Sequence, residues 1–196
     1  MTTERNKAVR NIAVTGSFAS GKSFLINCLK NKNYKVFSCD DYIKNLYQEE
    51  QIRAKIMEML NIGGDFSTSK IANVIYSDEQ KKKILENYIH PLVRKGVRDF
   101  EQNNESENII FTEVPLLYET SYQNHFYKVI CVYCSDETRW KRAQVRGMKD
   151  RDLFEKLKNI QMTQEEKMQR ADMLINTDID VELQLKDLIN QMNKDA

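Results

Sequence analysis

The chain has 196 residues, 30 Lys plus Arg against 29 Asp plus Glu, and a formal charge of +1. That length suits one α/β domain with a modest insertion, and the balanced charge argues against nucleic acid or an anionic membrane as the main partner. An anionic small molecule stays compatible, because a few arginines placed locally in a cleft meet its charge without changing the total.

Met1 to Asn11 is polar and charged, without the apolar core of a secretion signal, and no apolar run approaches the ~20 residues of a membrane helix. A cytoplasmic protein is expected. Ile12-Ala13-Val14-Thr15 reads as a short buried strand, and Gly16-Ser17-Phe18-Ala19-Ser20-Gly21-Lys22-Ser23 follows it with glycine, four free residues, glycine, lysine and hydroxyl. Glycines at both ends of such a loop let successive N–H groups wrap an oligophosphate, the lysine reaches the outer phosphates and the hydroxyl ligates Mg²⁺. Phe24, Leu25, Ile26 and Leu29 then give a helical apolar face, so the helix N-terminus points its partial positive charge at the anion.

Tyr34 to Ser38 reads as a second strand that delivers Cys39-Asp40-Asp41 to its C-terminal end, where open parallel sheets gather their ligands. One of these acids is placed to organise an attacking hydroxyl or Mg²⁺, and the other to cap a helix beginning near Tyr42. From Tyr42 to about Asn104 the pattern is helical, interrupted by Gly63-Gly64-Asp65 and bounded again at His90-Pro91, since proline restricts the residue before it. An insertion of this length between strands two and three is expected to form a flap that receives a phosphate acceptor.

Asn108 to Val114 is a third buried strand ending in Glu113, an acid placed to hold Mg²⁺ through water or to pair with a lysine. Lys128 to Cys134 is a fourth strand, on which Cys131 and Cys134 face opposite sides; packed thiols are therefore expected rather than a redox or zinc pair. A basic helical segment follows, in which Arg142 and Arg146 are four apart and share a face suited to a phosphate chain, though such a run also suits a solvated face. Leu153 to Met168 continues as an amphipathic helix, Ala171 to Asn176 is a fifth strand, and Leu183, Leu185, Leu188 and Ile189 mark a last helix. The pattern is that of one α/β domain around a parallel sheet, and nothing in it specifies an oligomeric state.

The phosphate loop, the acid after strand two, the helical insertion, Val114-Pro115-Leu116-Leu117-Tyr118-Glu119, the paired arginines, Gln161, and Ala171-Asp172 with Ile175-Asn176 resemble the dephospho-coenzyme A kinase family in order and approximate spacing. The resemblance spans nearly the whole chain, and its two late motifs are specific in combination. It implies a P-loop kinase with a five-stranded parallel sheet, assigning 1–41, 105–137 and 161–196 to a nucleotide core, 42–104 to a helical acceptor-binding part and 138–160 to a lid. It implies transfer of the γ-phosphoryl group of ATP, with Mg²⁺, to the ribose 3′-hydroxyl of dephospho-coenzyme A.

On that reading Asp40, Lys22 and Arg142 are the catalytic groups. ATP is held by Gly16 to Phe24, Arg142, Arg146 and Asn176; the acceptor by Asp40, His90, Leu116, Leu117 and Glu119; and Mg²⁺ by Ser23 and Glu113. Two departures stand out. Ser38-Cys39-Asp40 replaces the family's Asp-Ala-Asp, keeping the second acid, and Ser17, Ala19 and Phe24 occupy positions usually held by glycines and threonine. Backbone cradling accommodates those loop changes if the φ angles stay negative. A nucleoside or nucleoside-monophosphate kinase shares this core, whereas a nucleotide-dependent switch is disfavoured because the Asn-Lys-x-Asp guanine-recognition run is missing.

Overall fold

The three longest apolar runs become the centre of a five-stranded sheet in the computed structural model, which describes residues 9–194. Strands β1 (Arg10–Thr15), β2 (Val36–Ser38), β3 (Ile109–Glu113), β4 (Lys128–Tyr133) and β5 (Met173–Asn176) lie in the order β2-β3-β1-β4-β5. The pairs β1–β3, β1–β4 and β4–β5 are parallel, with Val14 opposite both Glu113 and Ile130. From β1 the chain runs out to β2, returns through β3 and then crosses to β4 on the other side of β1, so the crevice beyond the carboxyl end of β1 is where a ligand belongs. Most of the stretch read for features before β1 lies outside the described residues. No helix among the described residues is long and apolar enough to cross a membrane.

One face of the sheet is sealed by α1 (Lys22–Asn31) and α9 (Val181–Lys194), whose Leu25, Leu29, Leu185 and Leu188 share a buried cluster with Ile12, Val14, Phe111, Ile130 and Val132. Phe24, expected on the apolar face of α1, is instead 55% exposed, and Cys28 completes the buried stripe. Arg10 ties this layer together. Its guanidinium donates to the Met192 carbonyl at 2.7 Å, satisfying one of the last acceptors of α9. At the far edge, Asp172 holds β5 in register: its carboxylate accepts from Val129 N at 2.7 Å, while its own N–H donates to Val129 O.

The helical region between strands is longer and more divided than its pattern suggests. Contacts separate the chain into one unit that runs to Phe37 and resumes at Asn104, and another spanning Ser38–Asn103. The second unit contains α2 (Cys39–Leu46), α3 (Glu50–Leu60), α4 (Thr68–Ser77) and α5 (Glu79–Asn103). Helix α2 begins at Cys39 rather than Tyr42, because the Ser38 hydroxyl, not either aspartate, accepts from Asp41 N. The boundary expected at His90-Pro91 is absent: Pro91 sits inside α5. Losing one helical bond and straining the preceding turn costs about 3 kcal/mol. Leu85, Ile89, Val93 and Val97 form a buried stripe through that point, and at about 1.5–3 kcal/mol each their burial outweighs the defect.

Beyond β4 the expected run from Leu153 to Met168 is also split. Helix α6 (Asp136–Val145) starts on a Ser135 cap, α7 (Arg151–Ile160) starts on Asp150, and α8 (Gln164–Arg170) starts afresh at Thr163. Thr163 and Glu166 exchange side-chain and backbone hydrogen bonds as a capping box, which ends any continuity with α7.

Candidate active site

The turn from β1 into α1 has the geometry of an anion cradle. A Cβ at position 16 would lie 2.3 Å from the Val132 carbonyl oxygen, so only glycine lets the loop pass so close to β4. Gly21 is the N-cap of α1 at φ +100, and a side chain there would meet Thr177 Oγ1 at 2.8 Å and an Arg142 guanidinium nitrogen at 2.9 Å. Lys22 Nζ donates to the carbonyls of Gly16 at 2.8 Å and Ser17 at 3.0 Å, which holds the ammonium against the loop it must serve. Ser17 Oγ and Ser20 Oγ are buried and find no hydrogen-bond partner among the described residues. Two such hydroxyls, together with the α1 N-terminus, suit a ligand rich in acceptor oxygens.

Ala19 breaks the condition set by the sequence, since its φ is +61. A left-handed alanine costs about 1–2 kcal/mol, although glycine there would add unfolded-chain entropy of about 0.5–1 kcal/mol. Ala19→Gly is therefore expected to change stability by less than about 1 kcal/mol, whereas a β-branched valine should cost about 1–3 kcal/mol. Urea unfolding of the two variants checks this, and equal effects would mean the loop reshapes around residue 19.

Arg142 reaches the loop through a hydroxyl. Its guanidinium donates to Thr177 Oγ1 at 2.7 Å and to Thr177 O at 3.0 Å, and Thr177 Oγ1 donates onward to Ser20 O at 2.7 Å. Arg146 lies one residue past α6 and is exposed, yet it and Arg142 line the same shallow cavity of about 240 Å³ with Lys141 and Val145. Arg139 is only 2% exposed and donates from Nε to Phe18 O at 3.0 Å. It also pairs with Asp136 and lies over the Phe154 ring. Asn176, expected at the nucleotide, turns its side-chain oxygen to Asp178 N at 2.9 Å; its neighbour Thr177 is the one bonded to the loop. Cys131 and Cys134 are buried free thiols, and burial pushes the Cys131 thiol up to about 11.

Glu113 ends β3 directly beside Val14 and is 8% exposed. In the turn that follows, Leu116 is 38% exposed and can meet a ligand, but Leu117 is fully buried and belongs to the core. Glu119 is engaged by Lys167 and by Met162 N, each at 2.9 Å, which makes it a structural anchor before anything else. In the second unit, Asp40 is exposed in the first turn of α2, while Asp41 pairs with Lys44 at 2.8 Å. His90 is half-buried, and burial, aided by Arg94 and opposed by Glu86, holds its imidazole below the usual pKa.

A family model described as dephospho-CoA kinase matches residues 10–182. The chain belongs to the dephospho-CoA kinase family. Relatives named dephospho-CoA kinase include one from Rickettsia bellii, 39% identical over 181 residues that cover 92% of this chain and 94% of the relative. Among solved structures, a Thermus thermophilus protein superposes with a TM-score of 0.84 at 24% identity, covering 96% of this chain and 98% of its own. Dephospho-CoA kinase from Campylobacter jejuni gives 0.66 at 24% identity, covering 94% and 97%. Those two likenesses establish the fold; membership rests on the family model and the Rickettsia relative.

Within this kinase family member, no group of three or more His, Cys, Asp or Glu suited to a metal occurs among the described residues. A nucleotide-borne Mg²⁺ needs no such cluster, since it keeps phosphate and water ligands and takes one or two protein oxygens. Ser23 is exposed in the first turn of α1, and Glu113 lies on the strand beside β1. Sequence reasoning passed over Thr177, Arg139 and Lys167. Only Thr177 carried a signal, a hydroxyl immediately past the carboxyl end of a strand.

Proposed function

We propose that this kinase transfers the γ-phosphoryl group of ATP to the ribose 3′-hydroxyl of dephospho-CoA, giving coenzyme A and ADP, with residues 16–24 gripping the triphosphate. The observation that carries this reading is the loop itself: Lys22 held over it, two buried hydroxyls left to a ligand, and Arg142 tied to it through Thr177. Because phosphoryl transfer passes through a loose transition state, the chain acts mainly by positioning and charge neutralisation. Lys22, Arg142 and Arg146 supply cations, and Ser23 and Glu113 hold Mg²⁺, which when bound offsets charge on the outer phosphates. Asp40 aligns the acceptor hydroxyl and accepts its proton.

The 42–104 region receives the acceptor, with the His90 imidazole held below its usual pKa by burial, and Leu116 adds an exposed apolar contact. Residues 138–160 close over the nucleotide and exclude water. Both substrates are small and water-soluble, consistent with a cytoplasmic enzyme. The test is ³¹P NMR of dephospho-CoA incubated with ATP, Mg²⁺ and the protein, where a new phosphomonoester resonance with stoichiometric ADP is expected. ADP release with nucleosides but not dephospho-CoA would favour the related acceptor class, and slow hydrolysis indifferent to any acceptor would favour a switch.

A further inference from the structure

Lysine is almost never fully buried unless paired, yet Lys167 on α8 has no exposed surface. Its ammonium donates to Pro115 O at 2.8 Å and meets Glu119 Oε1 at 2.9 Å. The same Glu119 oxygen accepts from Met162 N at 2.9 Å, in the three-residue junction between α7 and α8. Pro115 O also accepts from Thr15 Oγ1 at 3.4 Å, and Thr15 is the residue before Gly16. One buried charge thus joins three places: the end of β1 where the phosphate loop starts, the turn after β3, and the junction from which α7 departs. Apolar residues of similar volume can stabilise such a site as well or better, so stability alone is a weak reason for an ion pair here. What leucine or methionine cannot do is fix the Met162 N–H and the Pro115 carbonyl in one register.

We propose that Lys167 and Glu119 are positioning residues that pin the α7–α8 junction, so that the 138–160 segment closes over the phosphate loop in a single arrangement. The inference rests on the lid role given to that segment above. With the junction loosened, water competes with the acceptor. A water oxygen then forms the new bond to the γ-phosphorus as the bond to the β,γ-bridging oxygen breaks, yielding ADP, inorganic phosphate and a proton in place of coenzyme A and ADP. The pair's contribution therefore appears in the ratio of ADP released to coenzyme A formed, more than in nucleotide affinity.

The experiment compares wild type, Lys167→Met, Glu119→Gln and the double variant, measuring that ratio, the KM for ATP and the melting temperature. Glu119→Gln strands the fully buried Lys167 ammonium without its carboxylate and should melt well below wild type, or fail to fold, whereas Lys167→Met leaves only a solvent-accessible carboxylate and should melt less far below it. The double variant leaves no unpaired charge and should recover much of that loss. The ratio should nevertheless stay raised by about tenfold in every folded variant, below the ~10²-fold that a 1 Å misplacement can cost. A double variant that regains both melting temperature and wild-type ratio would overturn the proposal, as would folded variants whose ratio never departs from wild type. If wild type itself makes no coenzyme A, the functional reading fails independently of the pair.

Discussion

Alanine at position 142 is expected to lower kcat by about 10³ while raising the KM for ATP far less, as measured by coupled ADP release with dephospho-CoA as acceptor. The Arg142 guanidinium sits against the phosphate loop. Two of its nitrogens are spent on Thr177, and one lies within 2.9 Å of where a Gly21 side chain would be, so the charge is lodged against the loop rather than swung out on a solvated face. A planar fork held this way is pre-organised, and lysine, a compact point charge, should not restore the rate. Loss of the arginine also removes a tether on Ser20, which must be separated from loss of a cation. Thr177→Val does so: it breaks the hydroxyl relay to Ser20 O, yet leaves Arg142 able to reach Thr177 O. Thr177→Val should cost about 1–3 kcal/mol of stability, because a buried carbonyl loses its donor, with a much smaller fall in kcat. Equal kcat losses in the two variants would make Arg142 a support of the loop rather than a partner of the transferring group.

What the sequence discloses about this fold, and what it hides, divides by range of interaction. The strands around Ile12, Ile110 and Ile130 are visible because a parallel sheet covered on both faces needs continuous apolar runs. The phosphate loop is visible because its glycines and Lys22 sit at fixed offsets. Thr163-x-x-Glu166 was equally local and does end the preceding helix, but the amphipathic period ran on through it. Pro91 shows the opposite error, where a local breaker is overridden by a buried stripe. The site's supports are different in kind: Arg139 bonds a carbonyl 121 residues away, Lys167 one 52 away and Arg142 a hydroxyl 35 away. No period or motif encodes such partners: in the sequence Arg139 and Lys167 look like members of solvated charge runs, and Arg142, though its spacing from Arg146 suits a phosphate chain, shows nothing of its bond to Thr177. Glu119 follows the same division: its place in a motif suggests a ligand contact and says nothing of the Lys167 ammonium and Met162 N–H that share its Oε1.

Asp40→Asn should reduce kcat by about 10²–10⁴ and leave the melting temperature nearly unchanged. The change keeps the volume of an exposed side chain in the first turn of α2 and removes only its charge, so a large effect on stability has no mechanism. Asp41→Asn is the matched control. Both acids sit at the positive end of the same helix, and Asp41 loses in addition an exposed pair with Lys44, so its melting temperature should fall at least as far. If alignment of the acceptor hydroxyl is the task, activity and stability will separate, with Asp40→Asn slow and stable and Asp41→Asn fast and slightly less stable. A slow Asp41→Asn beside a fast Asp40→Asn would move the role by one residue, a shift that Ser38-Cys39-Asp40 in place of the family's acid pair makes worth testing. If both variants turn over at the wild-type rate, neither acid orients the attacking oxygen. The burden then passes to the phosphate loop and its arginines, because a loose transition state asks more for neutralisation of the departing phosphates than for a base.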